Sequence, residues 1–239
     1  MKSVLKDIED AFVNDNKLLA VLIDPDKFDL LNVFQFLHKI KQTIVTHIFV
    51  GGSIVNEDVT HQLVSALKKE TNLPIVLFPG DVGQITDKAD AILYLALISG
   101  RNPKYLIETQ VESVPVLEKS DLEIIPTGYI LIESGKETAV ARVTKTEPLS
   151  GKEIISQTAK AGEFLGMKLI YLEAGSGAKY PVSEEIIIET KNRINTPLIV
   201  GGGIRTKEAL NNAYKAGADL VVIGTAFETD EEFYKIILK

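Results

Sequence analysis

Carboxylates that end apolar runs are the first residues in this chain with the means to do chemistry. Leu22-Ile23-Asp24-Pro25-Asp26-Lys27 places two carboxylates and an ammonium directly after a hydrophobic stretch, and Val50-Gly51-Gly52-Ser53 ends another on a hydroxyl. Asp24 and Ser53, completed by water and phosphate oxygens, form a hard donor set that suits Mg²⁺ rather than zinc. Asp26 also suits a capping turn into the next helix, a reading that fits Asp24 less well because it closes a buried run. His38, His47 and His61 lack metal-ligand spacing and read as surface or packing residues. Cysteine is absent, which excludes disulfides, thiolate metal sites and a cysteine nucleophile.

Glycines mark a second chemical region. Val200-Gly201-Gly202-Gly203-Ile204-Arg205 and Ile223-Gly224-Thr225 each follow an apolar run. Gly202, Gly203 and Gly224 let backbone amides approach phosphate oxygens closely, with Thr225 and a nearby helix N-terminus in support. The plainer alternative is that they only make tight turns. Between the two regions, Tyr171-Leu172-Glu173-Ala174-Gly175-Ser176-Gly177 alternates faces, so Tyr171 and Glu173 share one. Were that face the interior, Glu173 would accept a proton from a ligand hydroxyl that Tyr171 orients. Were it the surface, the pair would be solvated and inert. Gly175, Ser176 and Gly177 add further amide and hydroxyl donors.

Eight β-branched runs must position these residues: Leu18–Asp24, His47–Ser53, Pro74–Gly80, Ala91–Leu97, Glu123–Glu133, Lys168–Gly175, Pro197–Gly203 and Leu220–Glu228. Several are apolar on both faces, as strands of a helix-covered parallel sheet are. Helical patterns occupy Leu30–Ile40, Glu57–Lys69, Lys104–Leu117, Lys152–Leu165, Glu184–Ile194, Lys207–Ala216 and Glu231–Leu238. The expected architecture is α/β, a modified (β/α)₈ TIM barrel forming a single domain over residues 1–239. A doubly wound open sheet is the alternative that periodicity leaves open. Residues 81–90 are too few for a loop, a helix and a second loop. The third crossover helix is therefore expected to be missing or replaced by an extended segment, either without consequence or as an opening for a long ligand.

Composition narrows the partners. Twenty-six Lys and Arg against 33 Asp and Glu give a formal net charge of −7, which argues against nucleic acid or an anionic membrane surface. No apolar run approaches the ~20 residues of a membrane span, and the mixed-charge start is unlike a signal peptide. The expectation is a cytoplasmic protein, with apolar surface positions favouring a homo-oligomer.

These motifs resemble, in order and over nearly the whole chain, those of the geranylgeranylglyceryl phosphate synthases, a family that includes bacterial heptaprenylglyceryl phosphate synthases. Leu22–Lys27, Gly51-Gly52-Ser53, Ile98-Ser99-Gly100-Arg101-Asn102-Pro103, Tyr171–Gly177, Gly201–Arg205 and Gly224-Thr225 carry the likeness. The resemblance implies transfer of a polyprenyl group from its diphosphate to the 3-hydroxyl of sn-glycerol 1-phosphate. It implies Asp24 and Ser53 as Mg²⁺ ligands, and Tyr171, Leu172, Glu173, Ala174, Gly175, Ser176, Gly177, Gly202, Gly203, Gly224 and Thr225 around glycerol phosphate. Glu173 would be the base. The form of residues 98–103 leans toward the geranylgeranyl-using group, and a lipidic substrate and product imply transient membrane contact. A sugar-phosphate isomerase or epimerase, or a phosphate-binding protein without catalysis, stands as the alternative for the same cradle.

Overall fold

The computed structural model describes residues 3–52, 55, 58–224, 234, 237 and 238. Eight parallel strands close into a barrel in chain order: β1 (Leu18–Ile23), β2 (His47–Val50), β3 (Ile75–Leu77), β4 (Ala91–Leu97), β5 (Glu123–Leu131), β6 (Leu169–Glu173), β7 (Leu198–Gly201) and β8 (Leu220–Ile223). The open-sheet alternative is excluded by the pairing of β1 with β8. Alternation along each strand sorts the core into two layers. Ala20, Phe49, Val76, Leu93, Ile125, Tyr171, Ile199 and Val222 fill the barrel interior. Leu19, Val21, Ile23, Ile48, Val50, Leu172 and Val200 face outward beneath the helices. Two buried faces explain why the strands read as continuous apolar runs.

Helices α2 (Val33–Lys41), α3 (Val59–Glu70), α4 (Thr109–Leu117), α6 (Lys152–Phe164), α7 (Glu184–Arg193) and α8 (Lys207–Ala216) follow the expected patterns. The Lys104–Leu117 pattern is divided: Lys104–Glu108 forms a π-turn before α4, in which the Thr109 amide and, at 2.7 Å, the Thr109 hydroxyl both donate to the Lys104 carbonyl five residues back. No third crossover helix follows β3. Residues 81–90 hold only a single 3₁₀ turn, Val82–Gln84.

Two helices were not expected from the sequence. α5 (Ala139–Thr144) has six residues, too few for periodicity to register. α1 (Val4–Val13) closes the floor of the barrel, with Val4 and Ile8 packed into the interior layer. Its free N-terminal donors are satisfied locally. Ser3 accepts from the Lys6 amide, and the Glu123 carboxylate accepts from the Ser3 hydroxyl and the amides of Val4 and Leu5. The signal was present in Ser3 followed by Val4, Ile8 and Ala11 at helical spacing, although the surrounding charges obscured it. The expected strand continuation over 225–228 and most of the Glu231–Leu238 helix lie outside the described residues.

Because Ile8 is 1% exposed against the barrel interior, Ile8→Ala is expected to cost about 2–4 kcal/mol. Urea unfolding would show a lower midpoint at unchanged slope. A loss below about 0.5 kcal/mol, the surface-substitution range, would mean that α1 is not part of the core.

Candidate active site at the barrel mouth

Strand alternation continues past the strand ends and aims the functional side chains at one opening. On β6, Leu169 and Tyr171 point inward, and Glu173, two residues on, ends the same face at 5% exposure. On β1, Ala20 and Leu22 precede Asp24 in the same alternation. β1 and β6 are not neighbours in the closed sheet, so the two carboxylates enter from different sides of the mouth.

Glu173 is the electrostatic centre of this region. Burial raises its carboxyl from 4.5 to about 7, opposed by a hydrogen bond from the Gly175 amide and by the neighbouring Tyr171 hydroxyl. The Gly175 amide donates to Oε1 at 2.6 Å. Gly202, at φ +84°, is also required here: a Cβ would lie 2.5 Å from Glu173 Oε1 and 2.6 Å from the Gly175 amide nitrogen. Beneath the carboxylate, Tyr171 packs with Phe78 and Tyr129, with ring centroids 5.3 to 5.7 Å apart. The Tyr171 hydroxyl is enclosed next to Gly201 and completes no well-formed hydrogen bond. Burial and the nearby Glu173 charge push the Tyr171 and Tyr129 phenols well above their ordinary range.

The amides of the expected cradle divide into two sets. Ala174 donates to the Gly201 carbonyl in the sheet at 3.0 Å and Gly175 serves Glu173, so neither is free. The amides of Ser176, Gly177, Gly202 and Gly203 form no hydrogen bond to another described residue, and Gly177, Gly202 and Gly203 have positive φ. Adjacent amides in such conformations make a concave anion-binding surface. Leu172 and Ala174 turn their side chains into the outer core, leaving only backbone toward the mouth. Gly224 directly follows β8, and Thr225 lies outside the described residues. The nearest described helix start, at α8, spends the Ala209 amide on its own Thr206 cap.

On the opposite side, the Asp24 carboxylate is about one-quarter exposed and pairs with Lys27. It accepts from the Asp26 amide at 3.3 Å and abuts Gly52, where a Cβ would sit 3.0 Å from Oδ1. Ser53 lies outside the described residues. Among the described residues, no group of three or more His, Cys, Asp or Glu is arranged to hold a metal. An oxygen-only site with one partly solvated carboxylate suits an ion that keeps water and phosphate ligands, as Mg²⁺ does. His47 is buried in β2, and His61 meets the Thr86 hydroxyl at 2.8 Å.

An apolar groove opens beside the mouth, next to Gly52. It runs from Gly52, Phe78 and Tyr129 along Val82 and Ile85 toward α4 and α5. The missing crossover helix leaves room for it. Val82 and Ile85 lie in the short segment expected as an opening, whereas Val140, Val143 and Thr144 of the unexpected α5 were not foreseen; Thr109, Gln110 and Ser113 lie on α4, just after the π-turn. Asn102 binds the groove walls together, donating to the Thr144 carbonyl at 3.1 Å and accepting from the Lys104 amide at 3.1 Å.

The sequence pattern of the PcrB family matches residues 13–239. The chain belongs to this family. It is 56% identical over 236 residues to the geranylgeranylglyceryl phosphate synthase of Flavobacterium johnsoniae, covering 98% of this chain and 97% of that protein. It is 57% identical over 233 residues to the enzyme of that name from Zunongwangia profunda, covering 97% and 99%. Its structure superposes, with a TM-score of 0.92 and 32% identity, on the (S)-3-O-geranylgeranylglyceryl phosphate synthase of Thermoplasma acidophilum, solved with sn-glycerol-1-phosphate, over 99% and 96% of the two chains. The family match spans all eight strands.

A carboxyl whose folded pKa of about 7 exceeds its ordinary 4.5 favours the native state while protonated. Stability is therefore lost as pH rises from about 4.5 through about 7. Glu173→Gln removes that penalty, and should stabilise the protein at pH 8 by on the order of 3 kcal/mol but little at pH 4.5. Thermal unfolding at both pH values checks this, and equal shifts at the two would contradict it.

Proposed function

We propose that this PcrB-family chain is a Mg²⁺-dependent prenyltransferase joining a polyprenyl, most simply geranylgeranyl, diphosphate to the 3-hydroxyl of sn-glycerol 1-phosphate. The observation that carries the reading is the buried Glu173, with a pKa of about 7, set between free cradle amides and an apolar groove. A sugar-phosphate isomerase has no use for that groove.

The phosphate of sn-glycerol 1-phosphate sits on the free amides of Ser176, Gly177, Gly202 and Gly203, with Gly224 and Thr225 completing the cradle. An anion there is held by backbone dipoles with little need for basic side chains, which suits a chain of net charge −7. Glu173 then takes the proton of the 3-hydroxyl. At pH 7 about half of it is ionised and above that pH most of it is, so its basicity is matched to the working pH. Tyr171, enclosed below it, acts through Glu173, its nearby hydroxyl favouring the ionised carboxylate.

The alcohol oxygen forms a bond to the first prenyl carbon while the bond from that carbon to the diphosphate oxygen breaks. The electron pair leaves with diphosphate. Asp24, with Ser53, would hold Mg²⁺, which when bound neutralises charge developing on the leaving group. Lys27 adds a cation on the same side. The groove past Phe78 and Tyr129 takes the prenyl tail, where each buried CH₂ contributes about 0.8 kcal/mol. Holding both reactants across one mouth supplies the orientation that the displacement needs.

Cytoplasmic action, transient contact with a membrane holding the lipid substrate and product, and a homo-oligomer belong to the same reading. Leu31 and Phe34, 88% and 70% exposed, support an apolar contact, and no helix among the described residues is long and apolar enough to cross a membrane.

The test is incubation with labelled sn-glycerol 1-phosphate, Mg²⁺ and prenyl diphosphates of ten to thirty-five carbons, followed by extraction into organic solvent. Label should enter the organic phase, and its absence at every chain length would defeat the reading. Glu173→Ala should lower kcat by about 10²–10⁴-fold with glycerol phosphate binding retained. Asp24→Ala should chiefly weaken Mg²⁺-dependent use of the diphosphate. Full activity of Asp24→Ala at limiting Mg²⁺ would refute the metal assignment.

A further inference from the structure

Resting on the functional reading above, we infer that Gln84 is a positioning residue that holds the Mg²⁺–diphosphate side of the site in register with the wall of the prenyl groove. Gln84 ends the single turn that stands where the third crossover helix would be, and is 1% exposed. Its side chain grips one residue from both sides. Oε1 accepts from the Gly52 amide at 3.2 Å, and Nε2 donates to the Gly52 carbonyl at 2.8 Å. A buried primary amide that satisfies a loop residue's donor and acceptor together fixes that residue's orientation, and leaves both groups unpaired if removed.

Gly52 is the right residue to grip. Its α-carbon faces the Asp24 carboxylate, with a Cβ position 3.0 Å from Oδ1 and 3.2 Å from Cγ. The preceding amide, Gly51, donates to the Ile23 carbonyl at 3.0 Å, joining the ends of β1 and β2. Gly52 also lines the groove. Rotation of this peptide would therefore change the space beside Asp24 and the groove entrance together.

The other side of the clamp is equally well anchored. Asp81 caps the turn by accepting from the Gly83 amide at 2.8 Å, and Thr86 is tied to His61 on α3 at 2.8 Å. Val82 and Ile85, on either side of Gln84, both face the groove. The segment that replaced a helix thus forms a groove wall with its apolar side chains and orients the metal-side loop with its one buried amide. A tail seated on Val82 and Ile85 and a diphosphate beside Asp24 are read by the same short turn.

The test compares the unchanged chain with Gln84→Met, which keeps the length of the side chain without its hydrogen bonds, and Gln84→Glu, which keeps an acceptor for the Gly52 amide. Binding of Mn²⁺ with inorganic pyrophosphate is measured by electron paramagnetic resonance, and KM is measured separately for prenyl diphosphate and glycerol phosphate. Gln84→Met should weaken Mn²⁺–pyrophosphate binding by about 10- to 100-fold, the usual effect of losing a group that orients a ligand. KM for prenyl diphosphate should rise and KM for glycerol phosphate should stay unchanged, with Gln84→Glu in between. Unchanged Mn²⁺–pyrophosphate binding in Gln84→Met, or equal loss toward both substrates, would overturn the positioning role while leaving the functional reading intact. No transfer by the unchanged chain would overturn that reading, and this inference with it.

Discussion

The site depends on the cost of removing a carboxylate from water. Glu173 sits at the end of a buried strand, and that desolvation alone would drive it neutral. One amide, from Gly175, and a phenol beneath it return part of the lost stabilisation. The balance leaves the group near neutrality at about pH 7, ionised enough to take a proton and basic enough to want one. A more exposed carboxylate would be too weak a base, and a fully dry one would never be charged.

Much of the surrounding structure maintains that balance. Gly202 has no side chain because the Glu173 carboxylate occupies its Cβ space. Phe78, Tyr129 and Tyr171 form an aromatic floor that excludes water from below. α1 closes the other end of the barrel with Val4 and Ile8. The helix missing after β3 opens an apolar channel beside the polar mouth without exposing the barrel core. A lipid tail and a charged headgroup chemistry can then meet in one α/β barrel.

The larger periodic features were legible in the sequence. Continuous apolar runs at Leu18–Ile23 or Ala91–Leu97 have one structural use, as parallel strands buried on both faces, and the ten residues after Gly80 were too few for a helix. Period-2 alternation also placed Tyr171 and Glu173 on one face, which the structure shows to be inward. Features set by tertiary contact were not legible. α5 is held by Asn102 and Tyr105, which donate to the Thr144 and Val143 carbonyls, and the π-turn at Lys104–Glu108 by the amide and hydroxyl of Thr109. Within the expected cradle the amides of Ala174 and Gly175 are already used, a fact that no local pattern encodes. No local pattern marks Gln84, and only the fold brings it to Gly52.

The account rests on the charge state of one carboxyl, which can be observed directly. Titration of the Glu173 side-chain carboxyl, by carbon-13 NMR with Glu173→Gln to assign the resonance, should give a midpoint near 7 in the ligand-free protein. A midpoint near the ordinary 4.5 would mean that the strand end is wet, and that Glu173 is not poised as the base.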